Sequence, residues 1–255
     1  MQKKEESGSV KSVLKALGAL DFVLEQSMTR PGVGLSEIAA ALAIRPTTAR
    51  NILKTMEQAG YIGRAGDRLY VPGPKCHGMS RGARVSARLM KVMPPVLERL
   101  AADLGESFVV TTLFNGMRKV LLRQQGSSPI VVETRNAEQD AMAYRLVTTR
   151  IMLAFTSENE LDLFISQNGL PGREWDGIDS RDGLEARLRQ LKLAGYAEDE
   201  IPAGIYAAAF PLLDGTGMML GALGLFLPSF RLTAGEKSRI FAMLHETLLT
   251  LQERL

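Results

Sequence analysis

The chain of 255 residues has one cysteine, Cys76, so no intrachain disulfide can form and a cytoplasmic setting is expected. Its two histidines, His77 and His245, lie far apart and lack flanking ligands, so no metal and no cofactor is expected. His77 beside Cys76 suggests a nucleophile and base, but no Asp or Asn stands where it could orient the base. A nucleophile elbow and a phosphate loop are both missing. Gly215, Gly217 and Gly221 have the wrong spacing for a dinucleotide turn and read as a hairpin. The paired carboxylates Asp199 and Glu200 fall in what reads as a solvated loop. Together these gaps argue against an enzyme. No apolar run is long enough to span a bilayer, no secretory signal opens the chain, and no internal repeat is visible.

The net charge of +3 hides an asymmetry. Residues 1–104 hold 16 Lys/Arg against 9 Asp/Glu, a balance of +7, and residues 105–255 hold 15 against 19, a balance of −4. A basic part joined to an acidic part implies that a polyanion meets one end only.

The basic part contains LSEIAAALAIRPTTARNILKTMEQAGYIGRAGDRLYVPG, residues 35–73. Ser36 is a candidate N-cap, and Ile38, Ala39 and Leu42 fall on one helical face. A turn at residues 43–45 leads to Pro46, placed where proline best opens a helix. Ala49, Ile52, Leu53 and Met56 form the apolar stripe of this second helix. Thr47, Thr48, Arg50, Asn51 and Lys54 are left on or beside its outer face. Hydroxyls and lysine suit phosphates, arginine suits guanine, and asparagine suits adenine. Gly60 ends the helix. Two short strands around Ala65-Gly66-Asp67 complete a winged helix-turn-helix, with Arg64 and Arg68 beside the tip suited to phosphate or minor-groove contact. Such a unit sets its second helix in the major groove of double-stranded DNA.

Residues 10–26 read as an amphipathic helix with more apolar surface than one winged unit needs, which predicts a dimer on a pseudo-palindromic operator. Residues 79–104 read as a helical linker interrupted by Pro94-Pro95, with a basic stripe at Arg81, Arg84, Arg88 and Lys91. SFVVTTLF and KVLLR, joined by Asn115-Gly116, predict a hairpin, and residues 130–134 a third strand. Helices are expected over 147–155, 158–167 and 181–194, strands over 207–213 and 218–227, and a closing helix capped by Thr233 and Glu236. The whole reads as α+β: residues 1–78 for DNA, 79–104 as linker, and 105–255 as an antiparallel sheet flanked by helices.

SVKSVLKALGALDFV, LSEIAAALAIRPTTARNILKTMEQAGYI, LYVPGPKCHGM and GYAEDEIPAGIYAAAFPLLDGTGMMLGALGLFLPSFRLT resemble the IclR family of transcriptional regulators across nearly the whole chain. The resemblance implies a GAF-like effector domain, homodimers or tetramers, and a small-molecule effector that tunes operator binding. It assigns the effector site to Ile130 and Val131, to Val147, Thr148 and Thr149 at a helix entry, to Glu200 in the acidic loop, and to Ala207, where relatives often carry cysteine. One motif departs. Where the family has Gly-Lys-Ala, this chain has Thr149, Arg150 and Ile151. A β-branched threonine does not easily turn as glycine does, so the usual grip of backbone amides on a small acid is expected to weaken. Two outcomes follow: Thr148, Thr149 and an inward Arg150 hold the acid instead, or the pocket is more apolar.

Two other readings stay open. The chain is a constitutive DNA-binding regulator whose C-terminal part only oligomerises, or it is a metabolite sensor of another class.

Overall fold

The computed structural model describes residues 9–130, 132, 143–201 and 204–255, without the side chains of His77, Ser80 and Arg81. The chain divides into two compact units, Met1–Arg81 and Gly82–Leu255.

In the first unit, α1 (Lys11–Gln26), α2 (Leu35–Ala41) and α3 (Pro46–Gln58) pack with a small antiparallel sheet. Its strands β1 (Val33–Gly34), β2 (Ile62–Ala65) and β3 (Leu69–Pro72) lie in the order β1-β3-β2. One core gathers Ala19 and Val23 of α1, Ile38 of α2, Leu53 and Met56 of α3, and Ile62 and Tyr70 of the wing. Gly73 closes the wing: a Cβ there would sit 2.4 Å from the Gly60 carbonyl oxygen, so only glycine fits.

Ser36 does not cap α2. The helix starts two residues earlier, at Leu35, with Gly34 as N-cap. Gly34 is still paired with Leu69 in the sheet, so the chain passes from strand to helix without an intervening turn. The Glu37 carboxylate, not a serine hydroxyl, accepts the Gly34 N–H, at 2.8 Å.

Helix α4 (Pro74–Leu104) runs unbroken through Pro94 and Pro95, against the expected interruption. Proline removes two backbone hydrogen bonds there. Tertiary packing keeps the helix, because Leu89, Met93, Leu97 and Leu100 around the proline pair are all at most 2% exposed in the main core.

The second unit is built on β4 (Ser107–Phe114), β5 (Met117–Gln124), β6 (Ala197–Ile201), β7 (Ile205–Leu213) and β8 (Met219–Pro228). All pair antiparallel, in the order β5-β4-β8-β7-β6. Every residue of the central strand β8 is buried. Leu223, Leu225 and Leu227 join α4 and the closing helix α8 (Ala234–Gln252; α5, α6 and α7 lie earlier in the chain) on one face. Ala222 and Phe226 join α5 (Val147–Phe155) on the other. Each of these leucines and Phe226 contributes roughly 1.5–3 kcal/mol by leaving water. Helices α6 (Glu158–Asn168) and α7 (Arg181–Ala194) complete the α5 side around Tyr144, Phe164, Leu184 and Leu188.

Two sequence expectations fail here. The acidic segment before the last strands is not a loop but β6, paired with β7. Of the third strand expected over residues 130–134, Ile130 lies in a bend and Val132 in no strand, while residues 131, 133 and 134 lie outside the described residues.

Candidate nucleic-acid interface and ligand site

Helix α3 opens with Pro46 and buries Ala49, Leu53 and Met56, with Ile52 half-buried beside them. That packing fixes the opposite face outward. Thr47, Arg50, Asn51 and Lys54 are exposed on it, and Thr48 is half-buried at its margin. Arg50 and Lys54 make no ion pair within the unit among the described residues. The first turn of α3 holds no acidic residue. Sequence reading overlooked Arg45, which is exposed at the N-cap position of α3. Its signal was legible, because a cation beside the unsatisfied N–H groups of a helix start adds to an anion-binding end.

The two wing arginines differ. Arg64 is engaged at home: its guanidinium lies 4.2 Å from the Tyr70 ring centroid, reaches Glu57 at 3.4 Å and donates to the Asp67 carbonyl at 3.3 Å. Arg68 is exposed and has no ion-pair partner among the described residues. Between α2 and α3, Ala43 takes the left-handed conformation with φ 51°, which sets the angle of α3. Behind it, the Glu37 carboxyl is held below its ordinary range by the Gly34 N–H first and the Arg30 guanidinium second.

In the second unit, α5 packs onto the sheet through a gap left by Gly224, where a Cβ would lie 2.8 Å from the Thr148 methyl. Val147 and Ala207 share one core cluster, each at most 2% exposed. Thr148 is buried, and its Oγ1 accepts from Arg118 Nε at 2.8 Å. Thr149 is fully buried, and its Oγ1 has no partner among the described residues. Glu200 is exposed on β6, one residue beyond Asp199, which pairs with Ala207 across the strands. Ile130 is not gathered with them: it is 60% exposed, and its carbonyl accepts from Arg231, which also pairs with Glu106. Val131 lies outside the described residues.

Arg150 turns inward. It donates from Nε to the Tyr144 carbonyl at 2.6 Å, from Nη1 to Asp199 Oδ2 at 2.7 Å, and from Nη2 to the Glu174 carbonyl at 3.5 Å. Its guanidinium lies 4.9 Å from the Trp175 ring centroid. Glu174 Oε2 in turn accepts the Tyr144 N–H at 3.1 Å. Burial, with Glu174 beside it, pushes the Tyr144 phenol up to about 12, so it stays protonated and donates to the Gly169 carbonyl. One side chain therefore holds three segments around the start of α5. Glu106, buried at the start of β4, has its carboxyl pushed up by burial in spite of Arg231. No group of three or more metal-ligating side chains gathers among the described residues.

Two family models match the chain. The IclR helix-turn-helix domain matches residues 12–66, and the bacterial transcriptional regulator IclR C-terminal domain matches residues 83–252. The probable HTH-type transcriptional regulator ArcR of Halobacterium salinarum is 26% identical, over 91% of this chain and 88% of its own length. The crystal structure of the Thermotoga maritima IclR superposes with a TM-score of 0.51 at 22% identity, over 95% of this chain and 99% of that one. An IclR homologue from Microbacterium hydrocarbonoxydans, crystallised with 4-hydroxybenzoate, gives 0.52 at 18% identity, over 96% of this chain and 98% of its own. Both structures share this chain's fold.

Proposed function

The chain belongs to the IclR family of transcriptional regulators, and from that premise we propose how its two units divide the work of a DNA-binding regulator. Residues 1–78 seat on an operator, residues 79–104 link, and residues 105–255 hold a small-molecule effector whose binding changes operator affinity. The exposed face of α3 carries this reading, because its cations have no ion-pair partner within their own unit among the described residues. Arg50 and Asn51 read bases. Thr47, Thr48, Lys54 and Arg68 hold phosphates, and Arg45 joins them at the helix start. Arg64 braces the wing.

The regulator acts as a dimer. Val10, Val13, Leu14 and Leu17, each more than half exposed, form one stripe along α1 at helical spacing, and a second copy covers it. Its setting is cytoplasmic; among the described residues no helix is long and apolar enough to cross a membrane. The 4-hydroxybenzoate complex of the Microbacterium homologue supports the effector reading for this chain. A competing reading, in which residues 105–255 only oligomerise, draws on the close packing of Val147, Thr149 and Ala207.

Selection from random duplex DNA tests the proposal. Convergence on a pseudo-palindrome with two half-sites about one helical turn apart, or a multiple of it, supports it. Retention of DNA without any convergence overturns it.

A further inference from the structure

Among the described residues Arg150 is the one cation less than a tenth exposed, and its charge is already matched within the chain. Its side chain is 9% exposed, while that of its partner Asp199 is 43% exposed on the edge strand β6. Asp199 is fixed at both oxygens: Oδ2 takes Arg150, and Oδ1 accepts the Glu200 N–H at 2.9 Å. The remaining guanidinium contacts go to the Tyr144 and Glu174 carbonyls and the face of Trp175. Arg118 reaches the same turn of α5 from β5 and is likewise engaged.

We infer that the ligand site at the start of α5 takes an uncharged molecule and turns small carboxylates away, because Asp199 already occupies the guanidinium that would bind them. The inference rests on the reading of residues 105–255 as the effector-binding part and names its ligand class. An incoming acid finds no uncommitted charge at Arg150, and Glu174 stands beside the pair. Bringing a net negative charge into such a site is opposed by desolvation with nothing to offset it. A neutral ligand meets no such opposition. Val147 and Ala207, each at most 2% exposed, make the surroundings of that turn apolar, and the buried Thr149 hydroxyl, without a partner among the described residues, is left with one hydrogen bond to give. The fitting class is small, mostly apolar and uncharged, with a single polar group such as an amide or alcohol. Asp199 is thereby a specificity-determining residue, and removing its charge should convert the site to an acid receptor.

The test uses the full chain, its Asp199→Asn and Asp199→Ala variants, and matched probes. In calorimetry, 4-hydroxybenzamide should bind the wild-type chain more tightly than 4-hydroxybenzoate. Asp199→Asn should move the ratio toward the acid by about tenfold or more. In thermal unfolding, replacing chloride by acetate should raise the melting temperature of Asp199→Ala by about a few degrees and leave the wild type unmoved, because acetate refills the vacated place. Acetamide should not do so, and adding Arg150→Met should abolish the rescue. The inference is overturned if the wild type binds 4-hydroxybenzoate at least as tightly as the amide, if Asp199→Asn leaves the ratio unchanged, or if acetate fails to rescue Asp199→Ala. An acid bound by the wild type leaves the effector reading standing and sinks only the inference. If neither aromatic probe binds any variant, the effector reading falls and the inference with it.

Discussion

The two units handle charge in opposite ways. In residues 1–81 the cations of α3 and Arg68 are exposed, with no ion-pair partner in their own unit among the described residues. In residues 82–255 the buried cation Arg150 is held by a carboxylate, two carbonyls and an indole. A surface meant for a long polyanion can leave its charges in water, where they cost nothing until contact and act at range. A small enclosed site cannot, because an unmatched buried charge destabilises the fold that surrounds it.

The strongest way to break this comparison is Arg150→Met. It strands Asp199 and frees the Tyr144 and Glu174 carbonyls, so the second unit should lose about 3 kcal/mol, the low end for a broken buried pair because Asp199 can rehydrate. Trp175, the only tryptophan, lies against Arg150 and reports the transition in urea. Operator affinity should be unchanged, and an equal loss in DNA binding would show that the units are not separable in this way.

On the DNA side, Arg50→Ala should weaken operator binding by about 1–3 kcal/mol and relax preference at one position. Lys54→Ala should weaken all sequences alike and lower the salt slope by about 1. Equal losses on operator and random DNA for Arg50→Ala remove its base-reading role. The wing repeats the contrast on a smaller scale. Arg68→Ala should lower the salt slope by about 1 with the melting temperature unmoved. Arg64→Ala should instead destabilise the first unit by about 0.5–1 kcal/mol, through the lost contact with Tyr70.

Two carboxylates sharpen the comparison through pH. The folded carboxyl of Glu37 lies below its ordinary value of 4.5, so its stabilisation is present above that value and is lost as pH falls through the lowered one. The folded carboxyl of Glu106 lies above 4.5, so the second unit gains from its protonation and loses that gain as pH rises through the raised value. Melting curves across this range should show opposite slopes, flattened by Glu37→Gln in one unit and by Glu106→Gln in the other. Slopes of the same sign, insensitive to either change, would refute the assignment. The smallest effect belongs to Ala43→Gly. Relief of a left-handed alanine, roughly 1–2 kcal/mol, outweighs the added freedom of an unfolded glycine, so a gain of about 0.5 kcal/mol is expected in denaturant unfolding.

Local signals carried most of the fold. Helix α7 was legible at both ends because Ser180 accepts the Gly183 N–H and Gly195 takes the left-handed cap. Helix α5 was legible from its apolar run. Strand β6 was not, since AEDEI carries three acidic residues and reads as loop; it is an edge strand in which Glu198 and Glu200 are exposed and Asp199 between them turns to Arg150. The continuity of α4 was hidden because proline signals local cost while the burial that offsets it is tertiary. At the start of α5 the sequence placed Thr149 and Arg150 but could not aim the arginine, because its partner Asp199 lies 49 residues away. On α3, periodicity alone divided inner from outer face.

The sheet order has a consequence in time. The first unit closes over fewer than a hundred residues and can assemble while the rest of the chain is still being synthesised. The second cannot. Its β4 is made early yet pairs with β8, and Thr112 donates to the Leu220 carbonyl across 108 residues. Until that far strand emerges, the β4–β5 hairpin has an apolar edge with no neighbour, and closing so long a loop is slow. The nascent regulator therefore holds a finished reading head attached to an open sheet, and the interval between the two is when the chain is most prone to aggregate or to need a chaperone.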